Sequence, residues 1–255
     1  PSYSVLPAGL KSSVDPLLTD RWNQPEPYNI CAPMVEGKHC VVGCVALAMS
    51  QVMRYWRWPM KGTGMHSYLD SLGCGETLSA DFAHEYKWDL MRDVYEGPVD
   101  CSDVGLLEAG RLMRDCGVAV EMRYGLEASA ARSVNQAIAL TTWFGYDQGM
   151  QLYYRDFFSR AEWESMLAQE LSAGRPVLFA AQSASLSHAL VCDGYDEDGL
   201  FHMNFGLGGD ADGFYYLPHL TPKQPLWYDP ESAERGLNLL QSMIVGVRPA
   251  EPHPV

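Results

Sequence analysis

One cysteine in the sequence lies where a thiol could act as a nucleophile. Cys44 directly follows Gly43 and begins an apolar run, residues 44–56, whose pattern predicts a buried helix. The first N–H groups of a helix have no partner within it, and the helix dipole adds partial positive charge at that end. Both effects favour the thiolate, which is the nucleophilic form of cysteine. A single cysteine in an apolar segment is nevertheless more often a core residue, so the rest of the chain must decide.

A nucleophilic thiol needs a general base within hydrogen-bond reach and a third group that orients the base. His188 follows a polar run and begins a predicted strand, and Asn204 lies on a later one. A cysteine on an early helix with histidine and asparagine further along is the order described for papain-type enzymes. His202 alternates with Asn204 on one strand, so both side chains face the same way. We interpret His202 as structural, and it is the rival candidate for the base.

Acyl transfer also needs hydrogen-bond donors for the oxyanion of the tetrahedral intermediate. The backbone N–H of Cys44, at the predicted helix start, is one candidate. Gln24 is a neutral amide beside Pro25 and Pro27, which stiffen the local backbone. From the residues alone, the interpretation of Gln24 as an exposed loop amide is favoured.

The elements that would position these side chains form a helical part followed by a strand-rich part. This order predicts an α+β fold with two lobes and the active site in the cleft between them. We expect one catalytic domain over 1–255, with a mainly helical lobe over roughly 1–125 and a mainly β lobe over 126–255. Residues 65–102 have weak signals and are expected to be irregular. The predicted helices are 44–56, 103–116, 127–143 and 160–173, and the predicted strands are 176–181, 188–192, 200–205, 213–217 and 242–247.

Composition narrows the possible partners. The formal net charge of −14 argues against nucleic acid and against an anionic membrane surface. No apolar run reaches the length of a membrane span, so we expect no membrane insertion. The chain begins at Pro1 without a signal sequence or an initiator Met, which predicts a processed or truncated form.

The seven cysteines are an odd number, so at least one thiol stays unpaired. Their spacing matches no zinc motif, and we expect no metal and no cofactor. Cys116 and Cys192 lie in apolar periodic runs and are predicted core thiols. The candidates for disulfide bonds, in an oxidising compartment, are Cys31, Cys40, Cys74 and Cys101.

A set of collinear motifs extends from about residue 15 to residue 249. They are Trp22–Asn29, Gly43–Tyr55, Phe144–Asp147, Arg175–Val177, His188–Tyr195, Phe201–Gly209, Asp212–Phe214 and Gln241–Pro249. In these motifs the chain resembles the streptopain-like cysteine peptidases, a secreted bacterial group of the papain clan.

The resemblance implies Cys44 as nucleophile, His188 as general base and acid, Gln24 as oxyanion donor and Asn204 as the group that orients His188. It implies a secreted or cell-envelope endopeptidase, a virulence-type enzyme that acts on proteins or peptides through a thioester. It also implies a zymogen whose inhibitory prosegment precedes Pro1.

The resemblance also marks residues that would line the substrate cleft, namely Gly43, Ser187, Phe205 and Leu207. Phe205 and Leu207 replace two tryptophans that are usual in the family, and Ser187 ends a bulkier loop than the family's glycine-rich run. Phe205 can still cover the contact between His188 and Asn204, whereas Leu207 is expected to change the shape of a subsite.

Two other functions stay open at the level of sequence. The lost indoles would fit a catalytically weakened binding protein on a peptidase scaffold. The same four residues would also serve another acyl-transfer enzyme, such as an amidase or a transglutaminase-like protein.

Overall fold

Helices and antiparallel strands are both present in the computed structural model, which describes residues 9–97, 100–222, 226, 234 and 236–250. The mixed content confirms the predicted α+β class. The helices are α1 (Cys44–Trp56), α2 (Val104–Ala119), α3 (Val134–Trp143) and α4 (Arg160–Ser172). The strands are β1 (Met34–Val35), β2 (Lys38–His39), β3 (Met65–Leu69), β4 (Thr77–Asp81), β5 (Gln151–Tyr154), β6 (Val177–Gln182), β7 (Ser187–Tyr195), β8 (Phe201–Asn204), β9 (Gly213–Tyr215) and β10 (Leu239–Val245).

The predicted helices form, with two shifted ends. Asp103 caps α2 as expected, since its side chain accepts a hydrogen bond from the N–H of Leu106. Gly117 does not end α2. A Cβ at this position would lie 1.9 Å from the hydroxyl of Tyr124, so the glycine makes room for a packed ring inside the helix.

The third helix begins later than predicted. Ser129 lies in the first half of the predicted helix, but its hydroxyl accepts from the N–H of Gly125 at 3.0 Å and donates to the carbonyl of Val41 at 2.7 Å. A serine that bonds the local backbone in this way favours a turn over a helix. Helix α3 therefore starts only at Val134.

Six strands form one antiparallel sheet in the order β5–β10–β6–β7–β8–β9. Five of these strands overlap the predicted ones, and β5 was missed. The expectation of irregular structure over 65–102 is wrong in part, because β3 and β4 pair as a hairpin in that stretch. Leu78 and Ala80 on β4 are buried while their neighbours along the strand are exposed, which is the half-buried pattern of a surface hairpin.

The described residues divide into two compact units, each described here by itself. The sheet unit draws on Pro1–Thr19, Gly149–Phe205 and Gly209–Arg248, and the helical unit draws on Asp20–Gln148, Gly206–Gly208 and Pro249–Val255. Helices α1, α2 and α3 belong to the helical unit, and α4 belongs to the sheet unit. The single-domain organisation over 1–255 stays a prediction.

All seven cysteines are described, and all are free thiols. Cys116 and Cys192 are fully buried, as predicted for core residues. Burial raises the pKa of both well above the ordinary value. None of the four candidates for disulfide bonds is bridged. Among the described helices, none is both long and apolar enough to cross a bilayer.

Candidate active site

The thiol of Cys44 lies at the first position of α1, as predicted. Gly43 precedes it with φ 87° and ψ 134°, a conformation that glycine adopts and other residues avoid. A Cβ on Gly43 would lie 2.8 Å from the sulfur of Met122 and 3.0 Å from the Cβ of Ser129. Backbone conformation and packing therefore both require glycine directly before the thiol.

Helix α1 is a rigid support for this thiol. The residues Val45–Met53 that follow Cys44 are buried, while Cys44 itself is partly exposed. The side-chain amide of Gln136 on α3 donates to the carbonyl of Val45 at 2.9 Å. The N-terminal turn is thus fixed in the core of the helical unit, and the thiol lies at its edge.

Gln24 belongs to the same unit, and its side chain is only 4% exposed. Its carbonyl accepts from the N–H of Val42 at 3.0 Å, two residues before Cys44. Its own N–H donates to the side chain of Asn23 at 2.9 Å. Gln24 is therefore not an exposed loop amide, and its main chain is tied to the segment that leads into α1.

The side-chain nitrogen Nε2 of Gln24 is buried and has no hydrogen-bond partner within the described part of the chain. A buried donor without a partner costs about 1–3 kcal/mol, so folded proteins rarely keep one without a reason. An acceptor that arrives with a substrate would relieve this cost. The side-chain N–H of Gln24 is therefore available to donate to an oxyanion.

The segment that carries Gln24 is anchored on both sides. Trp22 is fully buried, its indole N–H donates to the carbonyl of Arg92 at 2.9 Å, and its carbonyl accepts from the N–H of Gly208 at 3.0 Å. A Cβ on Gly208 would lie 3.1 Å from the amide nitrogen of Asn23. This close approach holds the loop 206–208 beside the segment that carries Gln24.

A buried polar cluster links the same segment to α1. The carboxylate of Asp20 accepts from the amide of Gln51 at 2.6 Å and lies 3.7 Å from the guanidinium of Arg54. Arg54 also donates to Asp93 at 2.5 Å, and its guanidinium lies 5.4 Å from the ring centre of Trp22. Gln51 and Arg54 are both on α1, so these contacts tie the helix to the segment that leads to Gln24.

His188 is the second residue of β7, in register with Ala181 on β6, and is 1% exposed. Its Nε2 donates to the carbonyl oxygen of Phe205 at 2.8 Å. The two rings stack with centres 5.9 Å apart and an angle of 14° between their planes. A proton held on Nε2 by a carbonyl acceptor makes Nδ1 the basic nitrogen of the neutral ring.

Burial lowers the pKa of His188 from 6.5 to about 4, and the hydrogen bond to Phe205 acts in the opposite direction. A buried imidazole with this pKa is neutral at neutral pH. Its protonated form becomes stable only when an anion lies beside it. The imidazolium of a Cys–His pair would therefore have to form together with its thiolate.

Asn204 ends β8, pairs with Val191 on β7 and is 4% exposed. Its expected role in orienting His188 stays a prediction. The group that bonds Nε2 is the carbonyl of Phe205, which sequence analysis missed because a main-chain carbonyl has no side-chain signature. The N–H of the same Phe205 donates to the carboxylate of Asp212 at 2.7 Å. Asp212 lies in the motif Asp212–Phe214, which was the only indication in the sequence that this part of the chain contributes to the site.

His202, the rival base, has a structural partner. Its Nδ1 lies 2.6 Å from the carboxylate of Asp193, which is fully buried. The second oxygen of Asp193 accepts from the N–H of Leu18 at 3.0 Å. This pair fastens the N-terminal segment to β7, in agreement with the structural interpretation of His202.

The predicted site residues are divided between the two units. Within the helical unit the structure brings Gln24 next to the start of α1, and within the sheet unit it brings His188 to Phe205. Phe205 and Leu207 are buried and Ser187 is exposed. The described residues contain no group of three His, Cys, Asp or Glu side chains placed to hold a metal ion. The helical unit contains Gly43, Cys44, Gln24 and Leu207, and the sheet unit contains His188, Asn204, Phe205 and Ser187.

Comparison with known proteins adds a family model. The model described as "Peptidase C10 family" matches residues 22–215. The chain is 33% identical over 248 residues to the thiol protease/hemagglutinin PrtT of Porphyromonas gingivalis, covering 96% of this chain and 28% of that protein. It is 33% identical over 244 residues to streptopain of Streptococcus pyogenes, covering 89% of this chain and 60% of that protein. The chain therefore spans less than two thirds of the length of these relatives.

Solved structures give the same result for the fold. The structure of active wild-type interpain A, a cysteine protease of Prevotella intermedia, matches with a TM-score of 0.85 and 32% identity, over 96% of this chain and 99% of that one. A fragment of prointerpain A from the same organism matches with a TM-score of 0.81 and 31% identity, over 99% of this chain and 78% of that one.

Proposed function

The chain belongs to the peptidase C10 family, and from that relationship we propose that it hydrolyses peptide bonds with Cys44 as the nucleophile and His188 as the general base. Membership of this family and the named relatives support the enzyme class predicted from the sequence, a cysteine endopeptidase. The roles of individual residues are our proposal.

In the proposed reaction, Cys44 transfers its proton to Nδ1 of His188, and the thiolate forms a bond to the carbonyl carbon of the substrate. The electron pair of the C=O bond moves to its oxygen, where Gln24 Nε2 and the Cys44 N–H donate hydrogen bonds. The intermediate collapses by breaking the C–N bond, and His188 returns its proton to the leaving amine. Water then attacks the thioester while His188 takes a proton from it, and the C–S bond breaks to release the acid.

The observation that carries this proposal is the unpartnered Nε2 of Gln24. This donor is buried, and its main chain is hydrogen bonded two residues before Cys44. A structural amide would have an acceptor in the folded protein, whereas an oxyanion donor gains one only when a substrate is attacked. The rigid start of α1 behind Gly43 and the fixed tautomer of His188 support the same reaction.

We further propose protein or peptide substrates bound in a cleft that Gly43, Ser187, Phe205 and Leu207 help to line. The pro-form of interpain A among the solved structures supports an inhibitory prosegment for this enzyme before maturation. Secretion or a cell-envelope location is proposed from the same relatives.

Active-site labelling tests the nucleophile directly. Cys101 is exposed, so the experiment uses a Cys101→Ser background, with that single variant as the matched control for loss of a thiol. The control is expected to cleave casein and to react with a peptidyl epoxide at the wild-type rates. Adding Cys44→Ala is expected to abolish both cleavage and labelling. Cleavage that persists without Cys44 would overturn the proposal.

A further inference from the structure

We infer that Asp212 is a positioning residue for His188, acting through the main chain of Phe205. The inference goes beyond the roles proposed above and rests on His188 as the general base. Two consecutive hydrogen bonds within the sheet unit support it, and both have ordinary lengths.

The contacts join the imidazole to the carboxylate. His188 Nε2 donates to the carbonyl of Phe205 at 2.8 Å, and the N–H of Phe205 donates to Asp212 Oδ1 at 2.7 Å. Phe205 is 1% exposed, so neither of its peptide groups can exchange its partner for bulk water. Asp212 therefore holds the residue whose carbonyl fixes the His188 tautomer.

The place of Phe205 in the sheet explains why a side chain is needed there. Strand β8 ends at Asn204, and its last pair with β9 joins Met203 to Gly213. The N–H of Phe205 lies two residues beyond this last pair, where no backbone carbonyl of β9 continues the pairing. The carboxylate of Asp212, directly before β9, supplies the acceptor instead.

The hairpin that carries Asp212 is itself braced against Phe205. The ring of Tyr215 on β9 packs edge-on against the Phe205 ring at 5.7 Å between centres. Its hydroxyl donates to the carbonyl of Ala211 at 2.5 Å, which closes the turn just before Asp212. The residues 211–215 therefore contact both the ring and the main chain of Phe205, through Tyr215 and Asp212 respectively.

The chemical consequence concerns the imidazole tautomer. If the Phe205 carbonyl turned away, the proton would no longer be held on Nε2, and the tautomer with the proton on Nδ1 would become populated. That tautomer cannot accept the Cys44 proton at Nδ1. Loss of the same hydrogen bond would lower the pKa of His188 further, because the Phe205 carbonyl opposes the effect of burial.

Other charged groups near the imidazole are already engaged. Besides His188, strands β7 and β8 carry four titratable side chains, Cys192, Asp193, Tyr195 and His202. Asp193 and His202 pair with each other at 2.6 Å, the hydroxyl of Tyr195 donates to the carbonyl of Lys11 at 2.7 Å, and burial raises the pKa of Cys192. Strand β6, on the other side of His188, is apolar apart from Gln182. Tyr215 on β9 donates its hydroxyl to a main-chain carbonyl. A change in the His188 titration that appears in Asp212→Ala but not in Asp212→Asn, both of which remove the charge, would therefore reflect the Phe205 contact.

The test compares Asp212→Ala and Asp212→Asn with Asp210→Ala. Asp210 is an exposed carboxylate on the same loop and is the matched control. For Asp212→Ala we expect kcat to fall by roughly 10- to 100-fold, less than the roughly 100- to 10,000-fold attributed to general acid–base catalysis as a whole, with KM changed by less than about threefold. The alkaline limb of kcat/KM should move to lower pH. Asp212→Asn keeps an oxygen acceptor and should stay within about threefold of wild type.

Controls separate the possible outcomes. Rates are referred to the concentration of labelled Cys44, and thermal unfolding is recorded for each variant. If His188→Ala retained activity, the proposed function would fail and the role of Asp212 with it. If His188→Ala is inactive but Asp212→Ala behaves like Asp210→Ala, the inference alone is wrong. Should Asp212→Ala not fold, Asp212→Leu, which also lacks an acceptor, replaces it, and wild-type kcat and pH profile in that variant would also overturn the inference.

Discussion

The buried imidazole of His188 predicts a specific dependence of stability on pH when its thiol partner is removed. In a Cys44→Ala variant no thiolate can balance an imidazolium, so the pKa of His188 should remain at about 4, against 6.5 in the unfolded chain. Between these two values the unfolded chain binds a proton that the folded protein does not. Stability is therefore complete above pH 6.5 and is lost as the pH falls towards 4.

The size of the effect follows from the shift. At 1.36 kcal/mol per pKa unit, the full change is about 3 kcal/mol, and lowering the pH from about 7.5 to about 4.5 should cost about 2.5 kcal/mol of it. Every other titrating group contributes as well, so the comparison needs a partner variant without the imidazole. Cys44→Ala/His188→Gln serves this purpose, since glutamine keeps a side-chain donor for the Phe205 carbonyl.

The assay is urea unfolding of both variants at the two pH values. Cys44→Ala is expected to lose about 2.5 kcal/mol more than Cys44→Ala/His188→Gln as the pH is lowered. An equal loss in the two variants would show that His188 titrates normally in the folded protein, and the argument for a coupled thiolate–imidazolium pair would be refuted.

Two further predictions concern the helical unit. Gln24→Ala should lower kcat by roughly 100- to 1,000-fold with little change in KM, measured with a fluorogenic peptide, because it removes an oxyanion donor without altering substrate contacts; a change confined to KM would contradict this role. Gly43→Ala should lower the melting temperature by about 5–10 °C, since its φ of 87° and the contact with Met122 together cost about 2–3 kcal/mol. Gly75→Ala, at φ 78° but with open space around its Cβ position, is the control and should cost less.

Much of the scaffold was predictable because its signals are local. The apolar run after Cys44 specifies α1 to its last residue, and Ser159 with Glu162 forms the capping box that starts α4. The strands around His188 and Asn204 were found because buried β-type runs alternate with Gly/Asp turns. The candidates for nucleophile, base and oxyanion donor were proposed from motifs whose residue types the reaction requires.

The features that the sequence did not predict depend on contacts between residues distant along the chain or on main-chain groups, which sequence patterns do not show. The hairpin of β3 and β4 buries only alternate residues of short strands, so its pattern is weak. Helix α3 starts later than predicted because the hydroxyl of Ser129 donates a hydrogen bond to the carbonyl of Val41, which is distant along the chain. The burial of Gln24 depends on the anchoring of Trp22, and the Phe205 carbonyl is a main-chain group, which any residue could have supplied.

The protected thiols in this chain bear on how the enzyme would respond to oxidants. Peroxides attack thiolates, and burial raises the pKa of five of the seven cysteines, which keeps them protonated. Oxidative damage should therefore fall on Cys44 and on the exposed Cys101, and leave the core intact. Peroxide would then inactivate the enzyme by oxidising the Cys44 sulfur while the protein stays folded. A reductant should restore activity as long as Cys44 is oxidised only to the sulfenic acid.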